Sequence, residues 1–375
     1  MKLNLKLNRK ILQLSLAFGV IIIGSNSQVK AQDDVAQLMK AGVDDAGKLA
    51  DAYMSPLLKG FGAGLNGGWY NTAKPHGLGR FDITFHLNAV FIPEVDKVFD
   101  ANTLGFNKLR VKSGTGPQAP TVSGSDNFSN PAVYELYLDN PLTGTPSLVT
   151  DFQSPQGTGL PYSGAPTVQL AVGLIKKTEL MIRYMPTVAL GNVGDAGLFG
   201  FGLKHDVKQW IPVVDKLPFD LSAYFGYTKF NLDKSIELNP EANVPNRDGN
   251  VNTDYSNQMF NIETKATTFG LLLSKKLAVL TLYSGLQYQR STSTLALNGN
   301  YPVTIIEDRL GANNYGQEVI ESYKDPVSFE VEGANGMTAT LGARLKLLVL
   351  TLDGSYTFGQ YPYASIGVGL NIDWK

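Results

Sequence analysis

The stretch from Tyr363 to Trp374 constrains the fold of this chain more than any other part of the sequence. It reads Y-A-S-I-G-V-G-L-N-I-D-W. Successive side chains of an extended strand point to opposite faces. One face here is therefore uniformly apolar and ends in tryptophan, while the other carries only Tyr, Ser, Gly, Asn and Asp. Polar faces of soluble sandwiches are usually bulkier and more charged, whereas a closed barrel in lipid has an apolar outside and a polar inside. The pattern predicts a transmembrane β-strand.

The N-terminus has the anatomy of a secretory signal peptide. Four basic residues lie within the first ten, an apolar run extends from Ile11 to Ile23, and Val29-Lys30-Ala31 predicts cleavage before Gln32. The apolar core is shorter than the stretch of about 20 residues that a membrane helix needs. We expect residues 1–31 to be removed and the mature chain to reach the bacterial outer membrane.

Composition excludes several other classes of protein. The sequence has no cysteine, so it forms neither disulfides nor the acylated cysteine anchor of a lipoprotein. Its net charge of -1 argues against a nucleic-acid partner, because such domains are usually strongly basic. The 39 glycines and the aromatic content of 10% are what many strands with small interior residues and interfacial rings would supply.

The start of the mature chain is predicted to be helical. Apolar residues recur at helical spacing over residues 32–58, and Pro56 is expected to end the helix. This amphipathic lead-in is predicted to lie in the lumen as a plug or beneath the barrel in the periplasm, with a mobile segment as the third alternative. Residues 59–375 are assigned to the barrel. The glycines near residue 64 are expected to let the wall bend or to make room for a plug.

Alternating strands and loops fill the rest of the chain. The clearest strand runs from Phe81 to Ala89, and two further strands are predicted at Phe61 to Trp69 and at Leu104 to Val111. Tight turns are expected at Lys176, Lys275 and Lys346, with long connections around residues 113–165, 229–260 and 290–334. Outer-membrane barrels combine short periplasmic turns with longer extracellular loops. The predicted fold is an all-β, antiparallel transmembrane barrel of about 12 strands, with 10 or 14 as alternatives, preceded by a short helical segment.

Charged residues on the polar faces are expected to point into the lumen. Facing lipid, Arg or Lys at mid-depth would cost about 2–4 kcal/mol. The predicted lumen residues are Arg80, Asp82, His86, Glu179, Arg183, Arg344, Asp353 and Asp373. They are interpreted either as mutual ion pairs that fill a narrow barrel or as a selectivity lining for a solute. The aromatic residues predicted for the membrane interfaces are Trp69, Tyr70, Tyr227, Tyr288, Tyr361 and Trp374.

Two motifs resemble a known family. N-G-G-W-Y-N-T-A-K-P-H spans Asn66 to His76, and G-L-K-H-D-V-K-Q-W-I-P spans Gly202 to Pro212. Together they resemble a family of exported bacterial proteins of unknown function that are regarded as outer-membrane barrels, which implies no catalytic residue. The second motif is also similar to a hairpin of outer-membrane long-chain fatty-acid transporters, which favours a hydrophobic ligand. Its predicted periplasmic-turn residues are Lys204, His205, Asp206, Lys208 and Trp210.

No motif in the sequence indicates an enzyme. It contains neither G-x-S-x-G nor H-E-x-x-H, and three histidines without cysteine leave little for a zinc site. No cofactor or metal is expected. The predicted function is a monomeric barrel in outer-membrane lipid that binds or passes a small hydrophobic or amphipathic molecule. The alternative is a non-transporting scaffold or adhesion barrel that acts through its long extracellular loops.

Overall fold

Antiparallel strands joined edge to edge make up most of the molecule. The computed structural model describes residues 43–139, 145–249, 253–307, 309 and 311–372. Its helix and strands, in chain order, are α1 (Val43–Asn66), β1 (Phe81–Phe91), β2 (Val98–Asp100), β3 (Leu109–Val111), β4 (Gln118–Pro120), β5 (Val133–Asp139), β6 (Pro146–Gln153), β7 (Tyr162–Leu174), β8 (Thr178–Ala189), β9 (Asp195–Asp206), β10 (Asp220–Ser235), β11 (Met259–Leu277), β12 (Leu280–Asn298), β13 (Asn300–Ile306), β14 (Glu318–Lys324), β15 (Val327–Glu332), β16 (Gly336–Leu347), β17 (Leu350–Phe358) and β18 (Tyr363–Ile372). Short 3-10 helices occupy Glu94–Asp96, Ala101–Leu104, Gly191–Val193, Lys208–Trp210 and Val214–Lys216.

Ten of the described strands close into a ring. Neighbours follow the order β1-β7-β8-β9-β10-β11-β12-β16-β17-β18, and β18 pairs with β1 from Phe81↔Ile372 to Val90↔Tyr363. β15 lies beside β12 where β16 has not yet begun, so it adds no member to the ring. The predicted all-β antiparallel barrel is confirmed, with ten strands in place of about 12. Phe61 to Trp69 and Leu104 to Val111 do not join the ring.

The two ends of the barrel differ in their connections. At the end that we call the short-turn end, residues 175–177, 278–279 and 348–349 form tight turns beside the longer connection 207–219. The opposite, long-loop end carries residues 92–161, 236–258 and 299–335, together with two short links. The predicted contrast between tight turns and long connections is therefore present. β1 begins and β18 ends at the short-turn end.

The strands alternate between a polar inside and an apolar outside. On β1 the polar residues Asp82, Thr84, His86 and Asn88 are buried, whereas Ile83 is 47% exposed. On β18 Ser365 and Asn371 are buried. Large apolar side chains point outward on all sides of the ring, among them Phe199, Phe201, Leu203, Phe225, Phe269, Leu271, Leu273, Leu282, Leu286, Leu341, Leu352, Ile366, Val368 and Leu370. Asp373 and Trp374 lie outside the described residues.

α1 differs from its prediction in both extent and place. It runs to Asn66 with Pro56 in its interior, so Pro56 does not end it, and the residues predicted as a strand from Phe61 onward continue the helix. Every residue from Gly62 to Asn66 is buried, because this part of α1 lies inside the barrel. A helix enclosed on all sides lacks the single apolar stripe of a surface helix. Its alternating glycines give the period of two that is typical of a strand, which explains the wrong prediction. No helix in the described ranges is long and apolar enough to cross a membrane.

Glycines bring α1 against the inner wall. A Cβ added at Gly60 would lie 2.7 Å from Ile92 Cδ1, and one added at Gly64 would lie 2.8 Å from Ala165 Cβ. Both distances are shorter than van der Waals contact, so any larger residue would push the helix away. The sequence assigned the glycines near residue 64 to the barrel wall, where they would make room for a plug; that placement is wrong, because Gly60, Gly62 and Gly64 belong to the helix that fills the barrel.

The loop between β1 and β7 folds into a small structure of its own, which we call the cap (residues 92–161). β3, β5 and β6 form one sheet and β2 and β4 form another. Their apolar side chains make a core with the first half of α1; its buried members are Leu49, Ala101, Leu109, Ala119, Ala132, Tyr134 and Leu136. The cap begins and ends at one point, where the Ile92 amide donates to the Pro161 carbonyl (2.9 Å).

Candidate functional site

Residues 67–80 connect α1 to β1 by passing through the interior of the barrel, and we call them the lumen segment. The Tyr70 hydroxyl donates to Gln287 Oε1 (3.0 Å) on β12, and the Ala73 amide donates to Ser274 Oγ (3.0 Å) on β11. Ser222 Oγ of β10 donates to the Ala73 carbonyl (2.5 Å). The sequence predicted Trp69 and Tyr70 at a membrane interface. This prediction is wrong, because the segment that contains them bonds to the inward faces of the strands.

The lumen segment ends in an ion cluster near the short-turn end, which we call the basal cluster. Glu179 Oε1 lies 2.8 Å from Lys204 Nζ, and Glu179 Oε2 lies 2.7 Å from His76 Nδ1. His76 Nε2 lies 3.4 Å from Asp82 Oδ2 and 2.7 Å from the side-chain amide of Asn371. All five residues are buried. The sequence predicted Glu179 and Asp82 as lumen residues but interpreted His76 as a loop residue in a Pro-Gly turn and assigned Lys204 to a periplasmic turn.

Arg183 fixes the end of α1. Its guanidinium donates to the Leu65 carbonyl (2.8 Å), to the Gly67 carbonyl (2.7 Å) and to Gln169 Oε1 (3.1 Å). Its other side stacks on the Trp69 ring, with Cζ 3.7 Å from the ring centroid. The last carbonyls of a helix lack partners within the helix and attract positive charge. A fully buried arginine therefore caps α1 and holds the lumen segment.

A second group of buried charges is less completely bonded. His86 Nε2 lies 3.4 Å from Asp353 Oδ1, and neither ring nitrogen of His86 has a hydrogen-bond partner. Asn71 donates to Asp353 Oδ2 (3.3 Å). Arg344 approaches Asp82 at 3.9 Å, and its Nε and one terminal nitrogen are likewise without partners. Buried polar groups are usually satisfied by protein or water, so this part of the interior suits water or a polar ligand.

The predicted lumen residues thus fall into three sets. Asp82, His86, Glu179, Arg183, Arg344 and Asp353 are buried inside the ring. Arg80 precedes β1 at the barrel rim and is exposed, so its placement in the lumen is wrong; the alternation of β1 begins one residue later. Asp373 lies outside the described residues.

The predicted turn motif is divided between the interior and the short-turn end. Lys204 lies on β9 and points inward to Glu179, which corrects its assignment to the turn. His205 points outward and receives a hydrogen bond from Trp210 Nε1 (2.8 Å). Asp206 accepts from the Gln209 amide (3.2 Å), and Lys208 donates to the Leu217 carbonyl (2.6 Å). These contacts stabilise the connection 207–219 and leave no group aimed at a ligand.

A small cavity lies between the lumen segment and the wall. A cavity of about 10 Å³ lies among Asn66, Tyr70, Gln287, Thr340 and Ser365, which is room for about one water molecule. One sequence signal points to this filling. Gly202 and Gly226 are inward positions on neighbouring strands, and Cβ atoms added there would lie 2.9 and 2.4 Å from Trp69. Inward glycines on adjacent strands indicate that a bulky group passes close to the wall.

The cap is pinned to the first turns of α1. The buried carboxylate of Asp45 accepts hydrogen bonds from the amides of Asn107 (2.8 Å), Lys108 (2.7 Å) and Leu109 (2.9 Å). Tyr361, which the sequence assigned to a membrane interface, is buried and donates from its hydroxyl to Asp96 Oδ2 (2.7 Å). These contacts fix the position of the cap above the barrel, at the long-loop end.

Comparisons with known proteins give a family and distant structural likenesses. Residues 8–372 match the family described as "Family of unknown function (DUF6588)". None of the curated proteins matches the sequence. Resemblance to fatty-acid transporters, which the sequence suggested, finds no support in these comparisons.

Among solved structures, the translocator domain of the autotransporter NalP from Neisseria meningitidis is similar at 12% identity and a TM-score of 0.28, covering 93% of this chain and 100% of that one. Ail, the attachment invasion locus protein of Yersinia pestis, is similar at 7% identity and a TM-score of 0.24, covering 78% and 97%. The outer membrane transporter YddB from Escherichia coli is similar at 10% identity and a TM-score of 0.29, covering 78% and 41%. At these scores the likenesses carry no argument about function.

Proposed function

The chain belongs to DUF6588, a family of unknown function, and we propose that it is a sealed outer-membrane barrel that acts as a scaffold for its cap. The observation that carries this proposal is the filled interior: α1 and the lumen segment occupy the ring and bond to its wall. Of the two functions that the sequence predicts, the filled lumen favours the non-transporting platform over the pore.

The outward faces of the strands support the location in a membrane. Large apolar side chains such as Phe201, Leu271, Leu286 and Ile366 are 42–64% exposed and belong to an apolar surface that surrounds the ring. Exposed apolar patches of soluble monomers rarely exceed a few hundred Å², whereas outer-membrane barrels carry an apolar band about 25 Å tall. A chain with such a surface fits the outer membrane, where lipid would cover it.

The bonds of the lumen segment support a closed resting state. Displacing it would break the hydrogen bonds from Arg183 to the Leu65 and Gly67 carbonyls, the contacts of His76 in the basal cluster and the packing of Trp69 against glycine. A buried group that loses its partner costs about 1–3 kcal/mol, and more if it is charged. Several such losses together would make spontaneous opening rare.

Conductance in planar lipid bilayers tests this proposal. The purified protein is expected to insert without forming steady channels, whereas Arg183→Met should produce intermittent openings because the end of α1 loses its cap. Arg290→Met is the matched control, since Arg290 pairs with Glu332 on the surface at 3.0 Å and should behave like the unmodified protein. Steady ohmic conductance of the unmodified protein would show that the barrel is not sealed.

Complementation tests the role of the cap. A cap-less variant in which a short Gly-Ser linker replaces Pro93 to Leu160 keeps the paired residues Ile92 and Pro161. Cells that lack the protein should regain their normal phenotype when they express the unmodified chain or Arg183→Met, but not when they express the cap-less variant. Restoration by the cap-less variant would reject the scaffold.

Passage of a small amphipathic molecule is the second candidate, and the incompletely bonded groups around His86 and Arg344 favour it. These polar atoms would suit a solute that moves along the wall once the lumen segment has shifted. Uptake of a labelled fatty acid or detergent-like solute into protein-containing liposomes is the measurement. Uptake no faster than in protein-free liposomes would exclude this candidate.

A further inference from the structure

The direction in which the chain passes through the barrel is fixed by its contacts. As α1 and the lumen segment advance along the sequence, they contact inward residues that lie progressively closer to the start of β1. Gly60 lies against Ile92, Gly64 against Val90, Gly67 against Asn88 and Gly68 against His86, and His76 then reaches Asp82. Because β1 runs from the short-turn end to the long-loop end, the preceding segment descends in the opposite direction.

The start of α1 therefore lies at the long-loop end. Asp45, in the first turn of the helix, is bonded to three backbone amides of the cap, and Lys48 donates to the Gly105 carbonyl (2.8 Å). Asp44 has a side chain that is 65% exposed on the outer side of these contacts. The chain that precedes α1 thus joins it beside the cap and not beside the periplasmic turns.

The direction in which α1 runs through the barrel is favoured by charge as well as by packing. Asp44 and Asp45 lie at the first turn of α1, where the helix dipole favours negative charge, and Arg183 lies at its last carbonyls, where the dipole favours positive charge. Reversing the segment would remove the partners of a buried carboxylate and of a buried guanidinium. A buried charged group that loses its hydrogen-bond partners is strongly destabilising.

We propose that the start of α1 is displayed on the cell surface, with the rest of α1 and the lumen segment as its tether through the barrel. This inference rests on the proposed function, because the outer-membrane location decides which end faces the medium. It gives the filled lumen a function: the barrel holds the chain that precedes β1 so that the start of α1 faces outward. It also requires that residues 1–31 be removed, since a signal retained as an anchor would hold that chain in the inner membrane.

Single-cysteine labelling on intact cells tests the display, and the absence of native cysteine makes every label specific. Three exposed positions are compared: Asp44→Cys at the start of α1, Asn239→Cys in a long loop, and Lys216→Cys at the short-turn end. The probe is a membrane-impermeant maleimide that carries polyethylene glycol and shifts the protein on a gel. Each variant is first checked for the heat-dependent mobility of a folded barrel, and Lys48→Cys replaces Asp44→Cys if that variant fails to fold.

Asp44→Cys and Asn239→Cys should be labelled in intact cells to within about twofold of each other, and Lys216→Cys only after the outer membrane is permeabilised. If Asn239→Cys is labelled in intact cells but Asp44→Cys is labelled only after permeabilisation, the proposed display is wrong, while the proposed outer-membrane barrel is retained. If Asn239→Cys and Lys216→Cys behave alike, or if only Lys216→Cys is labelled, the proposed location and orientation fail and the display fails with them.

Discussion

At Gly226 the backbone of β10 passes under the indole of Trp69. A Cβ added at this position would lie 2.4 Å from Trp69 Cε2, and one added at Gly202 on the next strand would lie 2.7 Å from the Phe225 carbonyl and 2.9 Å from the ring. Trp69 is 1% exposed, with Arg183 stacked on its ring. The wall is thus shaped residue by residue around one side chain of the lumen segment.

Gly226→Ala should destabilise the barrel by about 1–3 kcal/mol, the usual cost of overpacking a filled interior. The matched control is Gly354→Ala on β17, where an added Cβ would meet only the Ser365 carbonyl at 3.9 Å and should leave stability unchanged. Urea unfolding in detergent, followed by tryptophan fluorescence, measures both. Equal midpoints for the two variants would mean that Trp69 does not occupy this slot.

Residue-scale prediction succeeded where a local rule was sufficient. Strict alternation identified Asp82, His86, Glu179 and Arg183 as inward residues, because a charge on the opposite face would meet lipid. The same rule gave no information on His76 or Trp69. Their positions depend on strands at least 100 residues away in the sequence, and no local pattern encodes such a partner.

At the scale of elements, the outer loops are held by ion pairs as well as by apolar cores. Glu307, at the end of β13, is 1% exposed and accepts hydrogen bonds from Arg309 Nε (3.0 Å) and Arg247 Nε (3.3 Å). Arg247 also pairs with Glu321 on β14 at 3.0 Å. Loop 236–258 is thereby fastened to the β13–β14 hairpin through one buried carboxylate.

This fastening should weaken in acid. The hydrogen bonds from Arg309, with further ones from Arg247, lower the pKa of Glu307 from 4.5 to about 2. A carboxylate whose pKa is lower in the folded state contributes stability above its unfolded pKa and loses it as the pH falls through the folded value. The rate of pepsin cleavage in these loops is divided by the rate for an unfolded substrate at the same pH. This ratio should rise as the pH falls from 4.5 to about 2.

Glu307→Gln should be cleaved rapidly across that range with little dependence on pH, because the titrating group is gone. Glu318→Gln removes an exposed carboxylate of β14 and should retain the pH dependence of the unmodified chain. A flat pH profile for the unmodified protein would contradict the role of Glu307.

Element prediction failed at α1 for an identifiable reason. Proline inside a helix removes one backbone hydrogen bond and usually ends or bends the helix, so the sequence alone favoured a stop at Pro56. Burial of the following turns against Ile92, Ala165 and Ser291 outweighs that cost. The extent of α1 is therefore set by the enclosing wall, which is formed by strands that follow the helix in the sequence.

At the scale of the whole molecule, the cap and the barrel are separable units that share α1. The cap leaves the ring only through Ile92 and Pro161, while its core contains Leu49 of the helix. The barrel wall holds the second half of α1 by other contacts, those of Arg183 among them. Each unit therefore stabilises its own half of the helix.

The cap-less variant should keep a folded barrel but lose protection of the first half of α1. Trypsin cleavage at Lys48 should become at least tenfold faster, because Asp45 and Lys48 lose their cap partners. Cleavage at Lys216, at the opposite end, is the internal control and should not change. Unchanged protection of Lys48 would show that the cap does not hold the helix.

The pairing of β1 with β18 extends over ten register pairs and joins the first strand of the ring to the last. This seam can form only once the whole barrel sequence has been synthesised. α1 and the lumen segment precede β1, and they are too wide to slip sideways between hydrogen-bonded strands. Assembly of this protein must therefore either close the seam around an interior that is already occupied or insert α1 and the lumen segment lengthwise through an open end of the ring; on the first route, a misplaced helix would leave the seam open.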